Sequence, residues 1–431
     1  MRRSALIVFL PLVMVTACGR SPFTVGGDDG VGGDDAADGA ALDTDFDPPG
    51  DDRGDGEGPF DEDEPLQPDE SGCGNGQIVP GDICFHDQIE FPSRIDPCAI
   101  DIGDLDGDGH LDVAVPNSDF DHEESPDNFA SVLYGNGFGG LSEPLGRLAG
   151  GDFAVGIAVG DMDGDGRDDL VVTNNEAAEV NVLLATDVRD FASPLTTAAG
   201  LGTVKPALGD LDGDGVLDAI VTSTDAPQAR ILRGRGDGTF DTPFQIGAEL
   251  NAPWDVKIFD LDADGDLDFG VTDSGASVVA LWRNDGPAGV VRLPDVGVGL
   301  APVSITPADV DGNGTMDMIV ASELSTHVRL GDGEGGFDNH EDVYGGLWPR
   351  DAAVADLDND GIVDLAIIAQ GSNDLTIAIG DGTGKFEPAA QYALGARPSG
   401  IVAGDFNEDG VPDLAVSNQD GDTVGLVLSN P

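Results

Sequence analysis

The chain has 431 residues, with 83 Asp plus Glu against 19 Lys plus Arg and a formal net charge of −64. So acidic a chain does not work as a phosphate-neutralising nucleic-acid binder or adsorb to anionic lipid through a basic face, and its 64 glycines disfavour coiled coils and long helices. With 40% hydrophobic residues a sizeable core is still within reach, so what matters is whether the acids are placed or scattered.

At the N-terminus Arg2 and Arg3 precede a short apolar run from Ala5 to Thr16, followed by Ala17 and Cys18. The run is too short for a mature membrane span. Val15-Thr16-Ala17-Cys18 resembles a bacterial lipoprotein box, which implies removal of residues 1–17 and acylation of Cys18. The protein is then expected to be exported and held by lipid at a bacterial membrane, the outer one foremost, on the cell-surface or periplasmic side. The other reading is an ordinary secretory signal with a chance cysteine.

Residues 18–72 are rich in Asp, Gly and Pro with almost no periodic apolar positions, and are expected to be a disordered, self-repelling tether. The triplet Arg53-Gly54-Asp55 lies in this tract, where composition alone produces it easily. Without Cys18, the cysteines left are Cys73, Cys84 and Cys98, an odd set that predicts one disulfide and one unpaired thiol with the pairing left open. Residues 73–87 are expected to form a small stapled collar; CGNGQIVPGDIC resembles the Cys-Gly-Asn-Gly segment that often precedes repeat domains in secreted bacterial proteins.

From Asp104 the nine-residue pattern DxDxDGxxD recurs at Asp161, Asp210, Asp260, Asp309, Asp356 and Asp405, in steps of 57, 49, 50, 49, 47 and 49 residues. A near-constant period of this size marks a repeat architecture. The longer first step is an insertion between Val115 and Val132. Each period holds short Val-, Ile- and Ala-rich runs bounded by Gly, Asp and Asn, which read as strands. Four antiparallel strands per period, seven times, predict an all-β, seven-bladed β-propeller over 88–431. The last period stops after its third strand, at TVGLVLSNP, while DQIEFPS at 87–93 has no blade of its own. An N-terminal strand is therefore expected to complete blade seven, close the ring and remove a bare sheet edge.

The first, third and fifth positions of the loops are Asp104, Asp106 and Asp108; Asp161, Asp163 and Asp165; Asp210, Asp212 and Asp214; Asp260, Asp262 and Asp264; Asp309, Asp311 and Asn313; Asp356, Asp358 and Asp360; and Asp405, Asn407 and Asp409. Hard oxygen donors at this spacing, with glycine at the sixth position for a sharp turn, suit Ca²⁺. Strands flank the loop and the last acid falls at the ninth position, so it is not the helix-loop-helix hand. The simpler alternative is a tight Asp-Gly hairpin turn with solvated acids, but a turn does not need four acids at fixed offsets. Up to seven structural Ca²⁺ ions are expected, with weaker binding where Asn313 and Asn407 lower the charge.

These repeats resemble the FG-GAP and VCBS repeats of integrin α-chain propellers and bacterial surface proteins, from Gln88 to the C-terminus. The FG-GAP element is matched near Gly137-Phe138-Gly139-Gly140, Gly238-Thr239-Phe240, Gly336-Phe337 and Gly384-Lys385-Phe386, and is degraded in blades two (VRDFASP) and four (DGPAGVV). The resemblance implies that the ninth position, Asp112, Asp169, Asp218, Asp268, Asp317, Asp364 and Asp413, ligates the metal. It also implies that the seventh position, His110, Arg167, Val216, Asp266, Thr315, Ile362 and Val411, ligates through its carbonyl.

Two GxGxxG strings, at Gly135-Gly137-Gly140 and Gly331-Gly333-Gly336, precede strands rather than a helix, and Asp332 and Glu334 would repel a phosphate. The histidines His86, His110, His122, His327 and His340 show no paired ligand spacing, and there is no GxSxG elbow. No catalytic site is nominated, and the chain is read as a non-catalytic, monomeric binding module for a surface protein or a glycan, touching membrane only through its lipid anchor. A Ca²⁺-dependent lectin, or a propeller hydrolase or lyase acting on polysaccharide or phosphate ester, are the alternatives. The ligand face is expected opposite the acidic loops, at the blade-one insertion with Phe120 and His122 and at Trp254, Trp348, Arg350 and Arg397. Against this, each Trp could simply pack its own blade junction beside Pro253 or Pro349.

Overall fold

The computed structural model describes residues 83–118, 129–148, 153–186, 189–286 and 289–429, within one compact unit, Pro65–Pro431. The leader, Cys18, the tether with Arg53-Gly54-Asp55, Cys73 and most of the collar, and Phe120 and His122 all lie outside the described residues. Every element among the described residues is a strand, and they form seven separate antiparallel sheets.

Each sheet is one blade. Blade six shows the plan: Pro349–Ala355, Asp364–Ala369, Asp374–Gly380 and Phe386–Ala393 pair in simple up-and-down order. The second strands are buried along their whole length, as in Asp169–Asn174, Asp218–Ser223 and Asp268–Asp273. Their centres are apolar, with buried polar residues at both ends, because both faces of a blade pack on neighbours. Blade four carries one extra short strand, Val296–Gly297, which pairs with Val278–Asn284 beside Val290–Arg292.

The first strands, Asp101–Gly103, Ala154–Gly160, Thr203–Gly209, Pro253–Phe259, Ser304–Ala308, Pro349–Ala355 and Pro398–Gly404, each touch the next in sequence, and the last touches the first. They therefore ring a central axis. Blade seven consists of Pro398–Gly404, Asp413–Asn418 and Thr423–Val427, with Ile89–Pro92 paired antiparallel on its outer edge, Phe91 facing Val424 and Ile89 facing Leu426.

The core follows this plan, one cluster to each blade junction. Ala114, Val132, Leu170 and Val172 join blades one and two, Ile220, Val256 and Phe269 join three and four, and Val113, Val115, Ala415 and Leu426 join seven to one. Phe269 stacks on Trp282 at 5.2 Å. Packing runs around the ring rather than within a blade, so no blade buries its apolar faces alone.

Polar links cross the same junctions near the axis. Asp101 Oδ2 accepts the Val159 N–H at 2.9 Å, Asp255 Oδ2 accepts the Ile305 N–H at 3.0 Å, and Asp351 Oδ1 accepts the Ser304 hydroxyl at 2.6 Å. Lys205 Nζ lies 4.0 Å from Asp255 Oδ1. Burial opposes the charge on Lys257, but the carboxylates of Asp255, Asp351 and Asp101 outweigh it and raise its pKa. Cys84 and Cys98 are both disulfide-bonded.

Candidate metal centres and binding rim

The nine-residue loops join the first strand of each blade to the second. Within every loop the first Asp turns one oxygen to the sixth-position glycine: Gly109, Gly166, Gly215, Gly265, Gly314, Gly361 and Gly410 donate N–H bonds of 2.8–3.1 Å. The fifth-position side chain accepts from the N–H of the seventh residue in all seven, as Asp108 does from His110 at 3.0 Å and Asp360 from Ile362 at 2.8 Å. These bonds fix one oxygen of each acid and leave the others to converge.

Asp104, Asp106 and Asp108 bring carboxylate oxygens within 4.8 Å of one another, as do Asp161, Asp163 and Asp169; Asp210, Asp212 and Asp214; Asp260, Asp262 and Asp268; and Asp309, Asp311 and Asp317. Asp104 Oδ1, Asp260 Oδ1 and Asp262 Oδ1 are shielded from solvent and accept no hydrogen bond. Buried anionic oxygens without a donor are costly unless something positive meets them. The donor set therefore fits a hard divalent cation.

The ninth-position Asp has a second task that the spacing did not suggest. Its Oδ2 accepts the N–H of the second loop residue and its Oδ1 accepts an N–H at the end of the third strand, at 2.6–3.1 Å throughout. In blade four the donors are Leu261 and Asn284, and Asp268 is wholly buried. The residue pins the loop to the blade and also presents oxygen to the cluster. Burial foremost, with nearby loop acids, pushes Asp112 and Asp413 up to about 7, and Asp169, Asp268 and Asp364 up to about 6.

Sequence reasoning also missed the arginines that reach these clusters. Arg189, from the degraded FG-GAP turn of blade two, bonds Asp106 and Asp108 of blade one and lies 4.7 Å over the Tyr134 ring. Arg233 and Arg283 end the third strands of blades three and four and meet Asp212 and Asp262. Their signal was a shared position, since the strand register sets Leu184, Leu330, Ile379 and Leu428 in the same place.

On the opposite face, the structure corrects the expectation of a shared aromatic rim. Trp348 is 55% exposed, but Trp254 is 2% exposed. Trp254 is covered by Arg350, whose guanidinium lies 5.1 Å over its ring. Burial foremost, with Arg397 nearby, lowers the Arg350 pKa to about 10, while Asp351 and Asp255 act the other way. Trp254 and Arg350 are thus one packed pair from blades four and six, in which Trp254 is closed to a ligand and Arg350 keeps only partial exposure. Arg397 pairs with Asp420 at 3.4 Å. Leu300, Leu324, Tyr344 and Leu347 are exposed on loops at the same end as Trp348.

A profile described as an FG-GAP-like repeat matches residues 161–221, 210–271, 260–320, 309–367 and 356–416. Each match starts at the first Asp of one loop and runs past the next loop into the following second strand. No curated protein matches the chain. Among solved structures, an Agrocybe aegerita lectin described as recognising non-reducing terminal N-acetylglucosamine is 18% identical with a TM-score of 0.50, over 76% of this chain and 87% of its own. BBS1N, in complex with ARL6DN, is 11% identical with a TM-score of 0.56, over 80% and 97%. A functionally unknown protein from Desulfotomaculum acetoxidans is 14% identical with a TM-score of 0.52, over 76% and 90%. At these identities the likeness is one of fold.

Proposed function

Because this chain belongs to the FG-GAP-like repeat family, we propose that it is a calcium-stabilised, non-catalytic binding module, carried to a bacterial surface by a lipid on Cys18. The observation that carries the calcium reading is the set of shielded, donor-less oxygens of Asp104, Asp260 and Asp262, in loops whose first Asp already holds the sixth-position glycine through its other oxygen. Bound calcium would supply the positive charge these clusters need. The chain's own part is to hold the oxygens in place before the ion arrives, through the ninth-position pins and the sixth-position glycine turns.

The ligand is proposed to be a glycan or protein met at the face opposite the loops. Exposed Trp348 favours the glycan, because an aromatic face stacks on the apolar face of a sugar ring, and the lectin of the same fold is in keeping with that. Binding of the Gly19-onward protein to a broad glycan array in millimolar Ca²⁺ tests this. Specific signals lost in Trp348→Ala but kept in chelator-free wild type would support a lectin. A blank from folded protein would direct the search to protein partners, and turnover of any arrayed glycan would overturn the non-catalytic reading.

A further inference from the structure

We infer that arginines and amides grade the seven loops, so that the loop beginning at Asp356 holds its cation most tightly. This rests on the calcium reading and asks how that charge chemistry differs from blade to blade. Arg189 Nε lies 2.5 Å from Asp106 Oδ2, and its Nη2 lies 3.3 Å from Asp108 Oδ2. Arg233 Nη1 lies 3.3 Å from Asp212 Oδ2 and 2.5 Å from Asp218 Oδ2. Arg283 Nε lies 3.6 Å from Asp262 Oδ2 and 2.7 Å from Asp285 Oδ1.

In loops one, three and four a guanidinium thus faces the third-position carboxylate. Arginine keeps its charge at any physiological pH and only donates. It stabilises the cation-free loop, and whatever stabilises that state lowers affinity for the ion. Loop two carries a milder version, with Arg167 bonded to Asp165. Loops five and seven reach the same end by composition, since Asn313 and Asn407 each replace one acid.

Loop six alone escapes all three devices. Asp356, Asp358, Asp360 and Asp364 are four carboxylates, and none of them meets a guanidinium among the described residues. The loop keeps the shared backbone bonds, from Asp360 to Asp356 at 3.0 Å and from Gly361 to Asp356 at 2.9 Å. Its third-position residue, Asp358, is 4% exposed, so its repulsion with Asp356 and Asp360 is poorly screened by water. Charge count is one of the things that tune calcium affinity in oxygen-ligand loops, and loop six keeps all four ligand-position carboxylates with no guanidinium among the described residues drawing on them.

Calcium titration of the full chain by equilibrium dialysis tests this, using wild type, Arg233→Leu, Arg283→Leu and Asp358→Asn. The two leucine variants install a residue that other blades already carry at that position, so the fold accommodates them; melting in chelator confirms it. Wild type is expected to show more than one affinity class. Arg233→Leu, which removes a charge-assisted bond to Asp218, should tighten one site by about tenfold, and Arg283→Leu, which removes only an ion pair with Asp262, should tighten another by about threefold. Asp358→Asn should weaken the tightest site by about as much. Seven sites of one affinity, leucine variants that titrate as wild type, or a tightest site indifferent to Asp358→Asn would each overturn the grading. A folded wild type that binds no calcium would instead overturn the calcium reading on which it rests.

Discussion

The ninth-position aspartate separates two roles that the repeat pattern alone merges. If it served only as a metal ligand, Asp268→Ala would leave the calcium-free protein unchanged. Because its oxygens hold the Leu261 and Asn284 N–H groups in a buried place, removing them should cost about 2 kcal/mol or more even in chelator. Urea unfolding with and without chelator checks this, and a loss seen only in calcium would contradict the pin. These residues also set a pH dependence. Their folded pKa values of about 6 to 7 lie above the ordinary carboxylate value because burial disfavours their charge. The folded, calcium-free state then binds more protons than the unfolded one, so its stability is greatest below about pH 4 for these groups and is lost as pH rises towards about 7. A melting temperature in chelator that falls between pH 5 and 7 is the expected outcome, with calcium abolishing or reversing the slope, since the ion needs the charged form.

At the scale of the loop, two glycine positions that look alike in sequence behave differently. The sixth-position glycines, including Gly361 and Gly410, have φ of 90°, beyond the left-handed well that side chains tolerate. At the fourth position φ falls to 58° at Ala263, 55° at Asn359 and 56° at Glu408, within that well, and the residue is free to vary. Nothing lies within 4 Å of a Cβ placed on Gly361, so the penalty there is backbone strain alone. Gly361→Ala should therefore destabilise by about 1–2 kcal/mol and weaken calcium at that loop without creating a clash. Thermal melting and the calcium titration read the two effects separately. At the opposite end, Trp348 also holds a positive φ, of 57°, as do Arg397 at 57° and Phe153 at 69°. The turn imposes this on bulky residues at some cost.

For the molecule as a whole, charge and architecture are coupled. A chain of net charge −64 closes into a ring in which each blade relies on its neighbours for burial, so repulsion at one face strains every junction. Chelation should lower the melting temperature in one cooperative transition. Added monovalent salt should recover part of that loss by screening the exposed acids. Each filled loop contributes about 2.7 kcal/mol when calcium exceeds its Kd a hundredfold. Differential scanning calorimetry across calcium and salt concentrations tests this, and a melting temperature indifferent to both would remove any structural role for the ion.

The strand pattern, the number of blades and the positions of the acidic loops were legible in the sequence because they arise from contacts inside a few residues. Nine consecutive residues contain the whole turn and its first, third and fifth oxygens, and the alternation of apolar runs with Gly and Asp suffices to mark strands. What only the tertiary structure decided was which distant residues meet. Arg189 reaches a loop 83 positions away, and Arg350 of blade six covers Trp254 of blade four while Trp348 stays bare. Such pairings depend on how neighbouring and opposed blades come together around the axis, and no local spacing encodes that distance. The repeat therefore sets what each loop can bind, and the closure of the ring sets which loops bear an arginine and which aromatic remains at the surface.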